Sequence, residues 1–198
     1  MKKQFKQVFL LMTICLAAFT PLLHAQSMYK VDDSKDNDMK LSGTSTFHNW
    51  AMNAEHFSSE AQFVFKAGNQ LLSIKSLNFS LIVDNLKSGE SGLDKNAYKA
   101  LKTDQYKTIS YTLTSATVSS GKGNKYTVRV QGNLNIAGVT KPVAMTTSCT
   151  VNTDGTITCS GSYKLKMSDY QVNPPSFMMG VMKTGNAITL DFTSVYKK

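Results

Sequence analysis

Three histidines, three cysteines and one run of methionines hold most of the chemistry open to this chain. His24 and Cys15 fall in an apolar leader, which leaves His48 and His56, Cys149 and Cys159. On one continuous strand, His48 and His56 would share a face but stand about 26 Å apart, at roughly 3.3 Å per residue. No metal site is expected from them. Acyl transfer needs a base beside its nucleophile and a partner to orient that base. Serines are plentiful, but histidines are few and no G-x-S-x-G elbow occurs. Gly121-Lys122-Gly123 reads as a hairpin turn rather than a phosphate loop. Asp32, Asp33, Asp36 and Asp38 read as one solvated loop. The expectation is a protein that is not an enzyme and carries no cofactor.

Cys149 and Cys159 flank a segment that reads as strand, Asp154-Gly155 turn, strand. With Asp154 at the centre they fall opposite each other. Such a pair bridges in an oxidising compartment when it occupies a non-hydrogen-bonded site, and otherwise stays as two buried thiols. Export favours the bridge.

Asn173-Pro174-Pro175-Ser176-Phe177-Met178-Met179-Gly180-Val181-Met182 is the most unusual run. Two prolines stop a strand, and then Phe177, Met178, Met179 and Met182 arrive together. Methionine adapts its shape to a long apolar partner, so the run reads either as the mouth of a cavity or as a plug in the core. A copper(I) site ranks behind both, because the run holds no histidine or cysteine. Trp50 poses a similar choice. Its indole N–H needs a partner, at a ligand-binding rim or in a strand-end packing cluster.

These groups need a scaffold, and the scaffold begins after a leader. Lys2, Lys3 and Lys6 precede an apolar run, Val8 to Leu23, that closes with Leu23-His24-Ala25. Residues 1–25 read as an export signal, too short and too interrupted at Pro21 for a lasting membrane anchor. A periplasmic or secreted location follows. The chain has 198 residues and a formal charge of +9, of which the leader holds three lysines. That length gives one domain, residues 26–198. Its basic residues are scattered singly, so no nucleic-acid partner is expected.

Alternation of period two dominates this domain. It is plainest at Tyr126, Val128, Val130, Leu134 and Ile136, and returns at Leu77 to Val83, Ile109 to Leu113 and Ile188 to Phe192. Weaker stretches lie at 28–32, 39–47, 51–65, 142–151 and 156–167. Eight or nine antiparallel strands result, enough to require a closed barrel or a packed sandwich. One short helix interrupts: Ser91 and Asp94 suggest a capping box, and Leu93, Ala97, Ala100 and Leu101 recur at helical spacing. Between two strands, Ala137 to Lys141 reads as a connection, with the next strand starting at Pro142.

The stretch Gly132-Asn133-Leu134-Asn135-Ile136-Ala137-Gly138-Val139-Thr140-Lys141-Pro142-Val143 resembles the G-x-L-x-I-x-G-V-T-K-P-V signature of YceI-like proteins. Tyr106 to Tyr111 resembles that family's Y-P-x-I-x-F, with Lys107 in place of proline, and Tyr29 to Asp32 its early Tyr-x-Val-Asp. The resemblance implies an all-β fold: a single extended, lipocalin-like barrel of eight antiparallel strands with one short helix. It also implies an exported protein, some relatives of which hold a polyisoprenoid in the barrel. One departure stands out. The family often has R-D-x-H-L where this chain reads Leu93-Asp94-Lys95-Asn96-Ala97, so any charged headgroup would fall to Lys95 or Lys99.

The ligand expected from this resemblance is a polyisoprenoid or another long-chain lipid. Its contacts would come from inward residues of successive strands: Phe63 and Phe65, Phe79 and Leu81, Tyr111 and Leu113, Leu134 and Ile136, and Ile188, Leu190 and Phe192. Trp50, Phe177, Met178, Met179 and Met182 would form the mouth. Each methylene buried there contributes about 0.8 kcal/mol. The same residues would also suit a filled barrel, which would make this a structural or stress-related envelope protein without a ligand.

Overall fold

The longest alternation in the sequence becomes strand Lys125–Ile136, whose residues from Tyr126 onward are buried at every second position. The structure, a computed structural model, describes residues 25–31, 35–177 and 181–198. The export-signal reading, apart from Ala25, concerns residues outside these. In chain order the strands are β1 (Ala25–Val31), β2 (Asp38–Ser45), β3 (Asn49–Ala54), β4 (Ser58–Lys66), β5 (Gln70–Ile82) and β6 (Leu86–Lys87). Helix α1 (Ser91–Leu101) follows. Then come β7 (Thr108–Ser120), β8 (Lys125–Ile136), β9 (Val139–Val151), β10 (Ile157–Lys166), β11 (Ser176–Phe177) and β12 (Met182–Lys197).

All pairings are antiparallel. β1, β4, β5, β7, β8, β9, β10 and β12 follow one another around a ring of eight, closed where β12 returns to β1. That closure rests on Lys30 opposite Lys197 and Val31 opposite Tyr196. Farther along the same edge, β12 pairs instead with β2, from Thr184 to Thr193. β3 and β6 extend the sheet outward from β2. The expected eight-stranded barrel class is therefore found, with a three-strand wing added at one end.

The interior divides into two clusters. At the β12 C-terminal end, Tyr29, Phe63, Phe65, Tyr126, Val128, Ile157 and Tyr196 fill the space. Tyr29 and Tyr196 each meet Phe63 edge-on, with ring centres 5.4 Å apart. The second cluster gathers Met39, Met52, Leu81, Leu86, Ile109, Tyr111, Leu134 and Ile136 below the helix. Between them, Tyr111 lies over Gly132, where any Cβ would collide with its ring. Gly132 is thus fixed by close approach from the neighbouring strand.

Two local expectations change. The β8–β9 connection is only Ala137 and Gly138, both at positive φ (49° and 82°), a two-residue hairpin turn. β9 therefore begins at Val139, and Pro142 lies inside it, opposite Asn133. β10 joins β9 only from Thr147 to Val151, so a proline is accommodated where β9's other edge has no strand beside it. The capping box does not form as written either. The N-cap is Glu90, and Asp94 Oδ1 accepts from the Ser88 N–H at 2.8 Å and the Ser88 hydroxyl at 2.6 Å.

Cys149 and Cys159 face each other across β9 and β10, with Cα atoms 4.1 Å apart, and are joined as a disulfide. Both sulfurs lie in the filled cluster. Replacing both cysteines by serine is expected to lower unfolding stability by about 2–3 kcal/mol, the chain-entropy value for so short a loop, measured by urea denaturation.

Candidate functional site

Helix α1 carries Leu93, Ala97, Ala100 and Leu101 on one face, yet none of its residues is buried. The reason is beneath it. A cavity of about 180 Å³ lies between that face and the open end of the ring, so Leu93, Ala97, Ala100 and Leu101 pack on the cluster only in part. Its walls come from many elements: Leu41 of β2, Trp50 and Met52 of β3, Leu86 of β6, Ile109 of β7 and Ile136 of β8. Leu165 of β10, Ile188 of β12, and Met167, Tyr170 and Val172 complete them. Polar groups are confined to Asn96 of the helix, Tyr170, and Ser45, His48, Lys183 and Thr184. Among the described residues, no carboxylate lines the space.

The helix is held at its ends. The Ser88–Asp94 contacts fix its start, and Lys102 ends it in the left-handed conformation at φ 55°. The Tyr98 hydroxyl donates to Leu86 O at 2.7 Å and receives Lys87 Nζ at 3.0 Å. These bonds tie the last helical turn to β6.

Beyond Thr147 and Gly161, β9 and β10 part, and the single turn Met167–Tyr170 with Val172 closes the gap. A bulge in β12 between Thr184 and Ile188 receives it. There Asn186 Oδ1 accepts from the Ser168 N–H at 2.9 Å, and Asn186 Nδ2 donates to Ser168 Oγ at 2.8 Å. A bulge of this kind re-aims a strand at a barrel rim. Trp50 stands beside this bulge on the same sheet, across β2, which pairs Gly43 with both Ile188 and Trp50. Its Nε1–H donates to Thr44 O at 3.1 Å, and its ring lies where a side chain on Gly43 would be.

Of the residues singled out in the sequence, Ile136, Ile188, Trp50 and Met182 line the cavity. Leu81, Tyr111 and Leu134 are buried in the cluster around it, while Phe79, Leu113, Leu190 and Phe192 are half-buried against that cluster. Phe63 and Phe65 lie in the filled half. The Phe177 side chain, Met178 and Met179 lie outside the described residues. Sequence reasoning missed Leu41, Met52, Leu86, Leu165, Met167, Tyr170 and Val172. The apolar helix face was visible, but not what it covers. His48 lines the cavity while His56 stands past the far end of β3. Among the described residues, no three His, Cys, Asp or Glu side chains gather as a metal site would require.

One polar atom inside the ring is unsatisfied. The Tyr111 hydroxyl is buried and has no hydrogen-bond partner among the described residues. Burial pushes its phenol up to about 12. Burial does the same to Tyr170, helped by Tyr163 and Asp169, and to Tyr196, where a hydrogen bond from Ser59 works the other way.

A model of the YceI-like domain matches residues 29–196. Among solved structures, the fold is similar to that of Burkholderia cenocepacia BcnA, with a TM-score of 0.67 at 17% identity, over 83% of this chain and 98% of that one. A polyisoprenoid binding domain from Saccharophagus degradans, implicated in plant cell wall breakdown, aligns with a TM-score of 0.64 at 12% identity, over 85% and 97%. A YceI protein of Campylobacter jejuni aligns at 0.55 and 19% identity, over 74% and 84%. At such identities the likeness is one of fold. Among curated protein sequences none matches the chain.

Two outcomes follow from the tyrosines. Tyr111→Phe removes a buried hydroxyl that makes no bond, so urea denaturation is expected to show stability unchanged or raised by about 1 kcal/mol. Phenols whose folded pKa is raised contribute stability that is complete below the unfolded value of about 10 and is lost as pH rises toward about 12. The melting temperature is expected to hold steady up to about pH 9 and fall steeply between about pH 10 and 12.

Proposed function

The chain belongs to the YceI-like family, and on that premise we propose that it is an exported, non-enzymatic protein that binds one long apolar lipid chain, a polyisoprenoid by preference. The observation that carries this reading is the cavity under α1: an amphipathic helix that buries none of its own residues because it roofs an apolar space. A helix whose apolar face met only side chains would bury them. Apolar cavities of about 150 Å³ stay dry and accept an apolar guest, and this one is of that order.

The space sets how the guest sits. Its exposed lining residues, His48 and Lys183, put the opening between the β2–β3 turn and the start of β12, and buried Ile109, Ile136 and Ile188 lie deeper. Below the cavity lies the filled cluster of Phe63, Phe65, Tyr126, Val128 and Ile157. The terminal part of the chain therefore occupies the cavity. Half-buried Phe57, Leu77, Leu113 and Met145, which touch both clusters, are the side chains between the cavity and deeper entry. The fold shared with a polyisoprenoid binding domain supports the choice of guest. An export signal at residues 1–25 and the disulfide support a periplasmic or secreted location. The reading involves neither nucleic acid nor a lasting membrane anchor; among the described residues, no helix is long and apolar enough to cross a membrane.

Trp50, the single tryptophan, lines the cavity and reports on it directly. Titration with a prenyl alcohol such as geranylgeraniol is expected to give a saturable change in Trp50 fluorescence. Ala100→Trp would fill the cavity from the helix side, so the titration is then followed by displacement of a dansyl-labelled prenyl probe. Affinity is expected to fall at least about tenfold, from the loss of two or more buried methylenes. No saturable change in the parent would show a barrel without a ligand, and unchanged affinity in the filled variant would show that the chain binds outside this cavity.

A further inference from the structure

The apolar side chains left in water are unevenly placed. Six large ones are exposed among the described residues, and Phe47 and Val181, at 66% and 62%, are the most open. Each is one residue from a cavity-lining side chain, Phe47 beside His48 and Val181 beside Met182. The two segments are bonded to each other. The Thr46 N–H donates to Lys183 O at 3.0 Å, and the Lys183 N–H donates to Thr46 Oγ1 at 2.9 Å. They form one lip at the entrance. Ile82 and Tyr106, also exposed, lie at the same end, at the close of β5 and just before β7.

Single exposed apolar residues are ordinary on any surface. Two on hydrogen-bonded turns at the mouth of an apolar cavity are not scattered in that sense. The lip carries one charge as well. Lys183 lines the opening, and among the described residues no carboxylate lies beside it in the lining. Among the described residues, the one ion pair, Lys30–Glu60, is on the β1–β4 side of the ring. Beyond the leader's three lysines the chain stays basic, its formal charge of +9 falling to +6.

We propose that this lip docks on an anionic lipid bilayer. Phe47 and Val181 enter the boundary between headgroups and acyl chains, and Lys183 lies against headgroup phosphates. The inference rests on the lipid-binding reading: a chain moving between a docked mouth and the bilayer never crosses water, whose avoidance drives its burial.

Flotation with vesicles of phosphatidylcholine plus phosphatidylglycerol tests the surface, with pure phosphatidylcholine vesicles beside them. The protein is expected to float with the anionic vesicles and less with the neutral ones. Phe47→Ser is expected to weaken that binding about tenfold, the effect of returning one phenyl ring to water. Leu72→Ser, an exposed apolar residue at the opposite end of β5, is expected to leave it unchanged. No flotation of the parent protein, equal flotation of the Phe47→Ser variant, or an equal loss in Leu72→Ser overturns the proposal. A protein partner at this lip would appear as the first of these outcomes. Uptake of geranylgeraniol in vesicle-free solution, read at Trp50, separates the two ideas, since Phe47 lies outside the cavity lining. Docking without uptake removes the lipid-binding reading and leaves the docking surface; uptake without docking does the reverse.

Discussion

Everything at the open end depends on how one strand shares its edge. β12 runs for 16 residues and pairs with β10 along one side. On its other side, β1 takes only Tyr196 and Lys197, and β2 takes Thr184 to Thr193. A strand edge left unpaired invites association, so a ring must close somewhere. Here it closes twice, tightly at the filled end and through an added wing at the other. Because β2 leads away into β3 and β6 rather than across to β4, the ring widens at the top. The helix then covers what the strands do not.

That division explains the interior. Eight strands enclose a space that side chains just fill or leave open for one slender guest. The filled end places Phe63, Phe65, Tyr29 and Tyr196 together, with the disulfide sealing β9 to β10. At the open end the large side chains are partly turned onto glycines. Trp50 lies over Gly43 and Tyr111 over Gly132, so rings that would have crossed the lumen lie along its wall. The cost of this arrangement is visible at Tyr111, whose hydroxyl is buried without a partner. Tyrosine in that place keeps a flat ring against Gly132, which phenylalanine would also supply.

The sequence displayed the wall better than the space within it. Inside and outside alternate along a strand, so Tyr126, Val128 and Val130 declare their direction by spacing alone. The Cys149–Cys159 pairing was likewise legible, because the Asp154-Gly155 turn fixes the register on both sides. Whether an inward residue meets another side chain or a cavity depends on what faces it across the ring. Ile136 and Phe63 read alike in sequence, yet one lines the opening and the other is in the filled cluster. Met167, Tyr170 and Val172 were invisible for another reason: a single turn after a strand has no period to recognise. Pro142 misled because a proline reads as the end of a strand, whereas β9 continues through it with β8 on one edge and no strand beside it on the other.

A protein that takes up and releases a chain needs one part that yields while the rest holds. Stability within a fold is uneven, and the parts with few buried apolar contacts open first. Helix α1 is such a part. Its bonds are at its ends, to Ser88 and through Tyr98 to the backbone beside β6, and its half-buried apolar face packs on the second cluster around the cavity. Lifting it exposes that face and the buried Leu86 and Ile109 of the lining, and leaves the ring's ladders and the disulfide intact. The Met167–Tyr170 turn differs, since Tyr170 and Val172 are buried and Asn186 fastens Ser168 from β12. On the proposed lipid-binding reading, entry past the helix and the β2–β3 lip therefore disrupts less than entry between β9 and β10, although that is where the strand ladder itself is broken.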